Sequence, residues 1–400
     1  MRNFHETESV GTMMTQKIMT IFGTRPEAIK MAPIIKALEK DTRFESCVVV
    51  TAQHREMLDQ VLETFAIKPD FDLNIMTPNQ TLATITSRSI ALLDEVFDQV
   101  NPDMVLVHGD TTTTFAAALT AFYHQVPVGH VEAGLRTYDK YSPFPEEMNR
   151  QMTDALADLY FAPTALSRDN LLKAHHDPSQ IYVTGNSAID ALAYTIAPDF
   201  SHVALKNPET KKILITMHRR ENLGQNMIQV FQAMNHILDK HADIELIFPM
   251  HKNPKIRALI HTHLKPSHRL HLIEPLDVFE FHNLAKRSDL ILTDSGGIQE
   301  EAPALGVPVL VLRASTERPE GVAAGTLKLV GTAEVDVVRA VDELLTDSVA
   351  YEKMATARNP YGDGKTSNRI VSIIARYFGL TTDILPEFRD KSDDKERELE

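Results

Sequence analysis

One unit recurs along this chain and restricts its folding more than any other feature: an unbroken apolar run, a turn of small or charged residues, then apolar residues at helical spacing. Apolar runs without alternation belong to strands buried on both faces, and strands alternating with helices build a parallel sheet covered by helices. The first unit is Lys17-Ile18-Met19-Thr20-Ile21-Phe22, the turn Gly23-Thr24, and a helix from Arg25 to Leu38 with Pro26 near its start. Strands are predicted next at 47–51, Met104 to His108, Val126 to Val131, Leu159 to Ala162 and Ile181 to Thr184. Helices are predicted at 81–99, Phe115 to Phe122, Glu146 to Asp158 and Thr164 to Ala174. The same grammar restarts at Lys212 to Met217 and runs through Ile244 to Met250, Leu270 to Ile273, 290–292 and Pro308 to Leu312.

Two halves of this kind predict an α/β protein with two Rossmann-like domains facing across a cleft. The 400 residues fit two domains at roughly 100–200 residues each. The N-terminal domain is expected over 17–189, a linker over 190–210 where periodicity drops, and the C-terminal domain over 211–365. A helix in 366–385 is expected to pack back on the first domain. Residues 1–16 are expected to be a disordered extension and 386–400 a disordered charged tail. Acidic residues outnumber basic ones 55 to 41, which argues against nucleic acid and anionic membranes as partners. No apolar run approaches the ~20 residues of a membrane span, and the polar N-terminus lacks the apolar centre of a signal peptide. The single cysteine, Cys47, excludes an intrachain disulfide and fits a reducing cytoplasm.

Function must lie in the turns, because ligands bind at the carboxyl edge of parallel strands. Thr293-Asp294-Ser295-Gly296-Gly297 joins a strand to a short helix, and its small residues let backbone N–H groups approach a phosphate. An ordinary tight turn has the same composition; Glu300 and Glu301, which suit ribose hydroxyls, favour the ligand. Arg25 and Lys30 suit a diphosphate. Asp110 after one strand and Glu132 after the next are candidate acid–base groups, although Asp110 equally suits a helix N-cap. Glu146 and Glu147 open the helix that follows a proline-bracketed loop, where one of them could bind substrate or merely complement the helix dipole. His218 and His251 each follow a strand beside basic residues, which favours an anion. No close metal-ligand spacing occurs, and His261 and His263 fall in a loop-like stretch, so no metal is assigned. Neither G-x-G-x-x-G nor a P-loop is present, which argues against a dinucleotide cofactor.

In order and spacing, Phe22 through Lys30, Thr51 through Met57, His108 through Thr114, Val131 through Arg136, Pro145 through Arg150, His218 through Asn222, Asp294 through Glu301 and Thr316 through Glu320 resemble the bacterial non-hydrolysing UDP-N-acetylglucosamine 2-epimerases. The resemblance implies the glycosyltransferase-B-like two-domain fold of many nucleotide-sugar glycosyltransferases and a cofactor-free homodimer that interconverts UDP-N-acetylglucosamine and UDP-N-acetylmannosamine for surface polysaccharide synthesis. It implies anti elimination of UDP to 2-acetamidoglucal, then re-addition with a proton returned to the other face of C2. Residue by residue, it makes Asp110, Glu132 and Glu146 the essential carboxylates and places His218 at the leaving oxygen. Arg25, Lys30 and Arg318 would assist at the substrate, while His251, Ser295, Gly296, Gly297 and Glu301 would hold UDP. Some similar proteins bind a second UDP-N-acetylglucosamine as activator near the segment matching Gln53, His54 and Arg55; an Arg is common where this chain has Asn79. A glycosyltransferase of the same fold would need an acceptor site, and a binding-only regulator would not need three convergent acids.

Overall fold

The computed structural model describes residues 15–52, 55–77 and 80–389. Seven parallel strands form the first sheet: β1 Gln16–Phe22, β2 Phe44–Val50, β3 Phe71–Asp72, β4 Met104–His108, β5 Val128–Val131, β6 Leu159–Ala162 and β7 Ile181–Val183. Their order is β3-β2-β1-β4-β5-β6-β7. Alternating with them are α1 Arg25–Lys40, α2 Arg55–Thr64, α3 Leu82–Val100, α4 Thr112–Tyr123, α5 Glu146–Leu156, α6 Ala165–Lys173 and α7 Ser187–Thr195.

Six parallel strands form the second sheet: β8 Lys211–Thr216, β9 Ile244–Pro249, β10 Leu270–Ile273, β11 Leu290–Thr293, β12 Val309–Val311 and β13 Leu327–Leu329. Their order is β10-β9-β8-β11-β12-β13. The helices here are α8 Gln225–Lys240, α9 Pro254–His263, α10 Val278–Lys286, α11 Gly296–Glu301, α12 Pro319–Ala324, α13 Glu334–Thr346, α14 Ser348–Ala355 and α15 Thr366–Tyr377.

Strand order reverses once in each sheet, between β1 and β4 and between β8 and β11. At such a point neighbouring crossovers leave in opposite directions and a crevice opens beyond the strand ends. The turns at 23–25 and 109–111 flank the first crevice, and those at 217–219 and 294–296 flank the second.

The cores follow from the pleat. Val48 and Val50 of β2 face a cluster with α1 and α2, while Cys47 and Val49 face α3 and α4. Ile370, Ile373 and Ile374 of α15 join the first of these clusters beside Ile34, Ile35 and Leu38. Ala191 of α7 lies in that cluster, yet Leu192 packs with Leu214, Ile247 and Ile291 of the second sheet.

Several boundaries differ from the sequence reading. β1 begins at Gln16, which pairs with Phe44, inside the stretch read as extension. The expected linker starts within α7, whose apolar face is buried through Leu192. His261 and His263 end a helix, because Asn253 caps it, Pro254 occupies its first turn, and Ile256 and Ile260 bury one face at i,i+4 spacing. Residues 386–389, read as tail, are ordered: the Phe388 N–H donates to the Val183 carbonyl at 2.8 Å and its ring is buried.

Candidate active site

At the first crevice the chain turns tightly at Gly23, where a Cβ would stand 2.1 Å from Thr51 Oγ1 and 2.7 Å from Thr113 Oγ1. Glu27, one turn into α1, locks this corner. Its Oε2 accepts from the Gly23 and Thr24 N–H groups at 3.1 and 2.8 Å, and its Oε1 accepts from Thr111 Oγ1 at 2.7 Å. One buried carboxylate thereby ties the turn after β1 to the turn after β4. Thr24-x-x-Glu27 is the capping-box spacing that could have revealed it. The threonine run after Asp110 is satisfied the same way, with Thr111 accepting from the Thr114 N–H at 3.1 Å as the cap of α4. Asp110 is therefore not the N-cap.

Asp110 instead pairs with Arg150 of α5, and its carbonyl accepts from Asn149 Nδ2 at 3.0 Å. Pairing of His108 with Val131 sets Asp110 and Glu132 at adjacent strand ends. Glu132 has φ +63°, a left-handed backbone that non-glycine residues adopt at a cost of order 1–3 kcal/mol. Its carboxylate pairs with Lys30 and lies 3.1 Å from His108 Nε2. Burial opposes ionisation, yet Lys30 and His108 hold the Glu132 carboxyl well below the usual range.

Beneath these groups, His130 Nδ1 is 2.6 Å from Asp154 and Nε2 is 2.7 Å from the Gly109 carbonyl, so both ring nitrogens face acceptors. Arg136 Nη2 donates to Asp154 at 2.5 Å. Despite burial, His130 and Arg136 lower the Asp154 carboxyl. Of the two candidate glutamates opening α5, Glu147 is consumed structurally, accepting from the Thr137 and Tyr138 N–H groups at 3.0 Å. Glu146 is half-buried and makes no ion pair with another described residue.

In the second sheet, fully buried Asp294 accepts from the His218 and Arg219 N–H groups at 3.0 and 2.9 Å and from Asn222 Nδ2 at 3.0 Å. It draws the turn after β8 onto the turn after β11. The His218 and His251 rings stack with centroids 6.0 Å apart. Desolvation lowers the His218 imidazole, with His251 and Arg219 acting in the same sense against Asp294. Ser295 precedes α11 without using its hydroxyl as a cap. A Cβ on Gly297 would meet nothing closer than Glu301 Oε1 at 3.8 Å, whereas one on Gly296 would lie 3.2 Å from the Arg318 guanidinium carbon.

Two expected ligand groups pair with carboxylates. Lys30, expected beside Arg25 at a diphosphate, points onto Glu132 and lies 3.5 Å from Glu300. Arg318 donates through Nε to Glu300 Oε1 at 2.9 Å. Glu300 itself is saturated, because Asn186 Nδ2 donates to its other oxygen at 3.0 Å. Glu301 lies 3.2 Å from His282 Nε2 and attracts Arg25, whose guanidinium is lowered chiefly by burial. Lys30, Glu132 and Arg318 are thus gathered with Glu300 and His108 where the first unit, built on the seven-stranded sheet, meets the second, built on the six-stranded sheet. Asp110 sits one strand end from Glu132, and His218 and His251 stand together. Gln53 and His54 lie outside the described residues, as does Asn79, and Arg55 opens α2. His108, His130, Arg150 and Asn186 went unassigned from sequence, since each lacks the signal that marked His218 and His251, a turn position beyond a strand beside basic residues.

Residues 36–375 match the family model described as UDP-N-acetylglucosamine 2-epimerase. A Bacillus subtilis (strain 168) UDP-N-acetylglucosamine 2-epimerase is 58% identical over 380 residues, spanning 95% of this chain and 100% of that protein. The structure of S. aureus MnaA with UDP superposes with a TM-score of 0.87 at 55% identity, covering 94% of this chain and all of the other. The Neisseria meningitidis UDP-GlcNAc 2-epimerase bound to UDP-GlcNAc gives 0.83 at 49% identity, covering 90% and 100%. A glycotransferase of kitacinnamycin, at 12% identity and a TM-score of 0.63, shares the two-sheet fold alone.

Proposed function

The chain belongs to the UDP-N-acetylglucosamine 2-epimerase family, and from that premise we propose how its two crevices divide the work of inverting C2 of UDP-N-acetylglucosamine. The enzyme is an isomerase that interconverts this nucleotide sugar with UDP-N-acetylmannosamine. One observation carries the division: Lys30 of the first unit is shared by Glu132 of that unit and Glu300 beside the Ser-Gly-Gly turn. The acid-bearing strand ends and the turn suited to phosphates thus line one cleft.

A proton leaves C2 to a carboxylate, the C1–O bond breaks with its electron pair departing on UDP, and 2-acetamidoglucal remains. UDP then adds back to C1 while C2 is protonated on the opposite face. Asp110, Glu132 and Glu146 supply the acid–base and sugar-positioning carboxylates. His218 stands at the leaving oxygen, where negative charge would favour its protonated form. Ser295, Gly296, Gly297, His251 and Glu301 retain UDP between the two steps, with Arg25 on the diphosphate side. Closure around the glucal excludes water and protects it from loss.

The same reading carries a homodimer, a cytoplasmic site of action, supply of surface polysaccharide synthesis, and activation by a second substrate molecule near 53–55; its support is the family resemblance and, for the compartment, the lone buried Cys47. The test is incubation with UDP-N-acetylglucosamine in D2O. Deuterium at C2 together with the mannosamine epimer is expected, and unchanged label and sugar would overturn the reading. Asp110→Asn should lose exchange while still binding UDP.

A further inference from the structure

Where the units meet, two buried cations and two buried anions form a chain that neither unit completes alone. Lys30 and Glu132 come from the first unit, Glu300 and Arg318 from the second, and no side chain among them is more than 18% exposed. Glu300 Oε1 accepts from Nε of Arg318 at 2.9 Å, with Nη2 of the same guanidinium ion-paired to it at 2.9 Å, and Oε2 faces Asn186 at 3.0 Å and Lys30 at 3.5 Å. Its carbonyl is also held, by Asn359 Nδ2 at 2.9 Å. A carboxylate engaged on both oxygens and fixed at its backbone is poorly placed to take a nucleotide hydroxyl. It is well placed to hold an ammonium.

We propose that Glu300 is a positioning residue for the epimerisation, acting through Lys30 to keep Glu132 aligned and basic. The inference rests on the acid–base role given above to Glu132. In a buried site, an ammonium facing a single carboxylate claims that carboxylate's charge, and a base held so tightly accepts a proton poorly. Glu300 competes for the same ammonium from the other side. The charged or titratable groups facing Glu132 are Lys30 from α1, His108 from the end of β4, and Arg318 from the turn before α12. Without Glu300, Lys30 would act on Glu132 uncompensated. Because Glu300 belongs to the second unit, Glu132 attains its working state only when the units are apposed.

The test begins with C2 exchange by the wild-type enzyme in D2O; absence of exchange there refutes the epimerase reading itself, before any variant is compared. Glu300→Gln should lower kcat about 10- to 100-fold, as a small misplacement at a reacting centre does. Its KM and its Kd for UDP by calorimetry should stay within about twofold, since the interaction lost serves the chemical step and not binding. In a Lys30→Met background, Glu300→Gln should lower kcat no further, because groups acting through one intermediary are not additive. Glu300→Asp, which keeps the charge but withdraws it from Lys30, should show the same split between kcat and KM, and it answers the question if the Gln variant does not fold. Weakened UDP binding with unchanged kcat would make Glu300 a nucleotide ligand and overturn the proposal. Multiplying losses in the double variant would overturn it equally.

Discussion

Around the switch point of the first sheet, charge is buried and paired: Glu27 on two turns, Glu132 on Lys30 and His108, Asp110 on Arg150, Asp154 on His130 and Arg136. Around that of the second, fully buried Asp294 serves mainly backbone N–H groups, and the turn residues Ser295, Gly296 and Gly297 are small while the His218 side chain is 42% accessible. The contrast fits what each crevice is proposed to hold. Taking a proton from carbon requires charges fixed beforehand, since reorganising them would add to the barrier. A nucleotide diphosphate brings its own charge and needs bare backbone and room.

If this contrast is right, substitutions in the first crevice should damage chemistry or folding, and those of the small residues at the Ser295-Gly296-Gly297 turn should damage binding. The largest effect is expected for Glu132→Gln, whose C2 exchange should fall by about 10²–10⁴-fold with UDP affinity retained, read by mass spectrometry and calorimetry. Asp154→Ala strands a buried histidine and arginine and should cost about 3–5 kcal/mol, read from urea denaturation; a neutral result would break the comparison. Gly297→Ala should leave thermal stability unchanged or slightly raised, because a Cβ there meets nothing within 3.8 Å, yet weaken UDP binding about tenfold by obstructing phosphate approach. Gly23→Ala should do the reverse, since its Cβ would collide with Thr51. The smallest effect concerns His218. Its folded pKa lies below the unfolded value of 6.5, so its contribution to stability is complete above that pH and declines as pH falls, when the unfolded chain takes up the proton first. UDP should raise the His218 value, read by NMR titration of the ring; no upward movement would argue against its place at the leaving oxygen.

The sheets and most helices were legible from apolar runs and helical spacing, because buried parallel strands carry a local signature. The short α12 and β13 were not, as Pro319 and the glycines around them resemble loop. For the site, strand-end position singled out Asp110, Glu132 and His218, which depends only on local order along the chain. The carboxylate partners of Lys30 and Arg318 were not legible, because a cation beside a sheet edge suits a phosphate and a carboxylate equally. Only the meeting of Glu132 with Glu300, 168 positions apart in the numbering, distinguishes them. The reading of Asp110 as a helix cap was likewise open until Thr111 proved to occupy the cap.

The segment at 386–389 has a bearing on solubility. β7 is an outer strand of the seven-stranded sheet, and an outer strand offers unpaired backbone groups to any other chain that approaches. Here Glu387 accepts from the Val183 N–H at 3.2 Å, the Phe388 N–H donates to the Val183 carbonyl, and the Phe388 ring lies against Arg369. The chain shields its own edge. A protein cut back before Pro386 would keep both crevices intact while exposing that edge, and should gain turbidity with concentration and time at unchanged specific activity of the material left in solution.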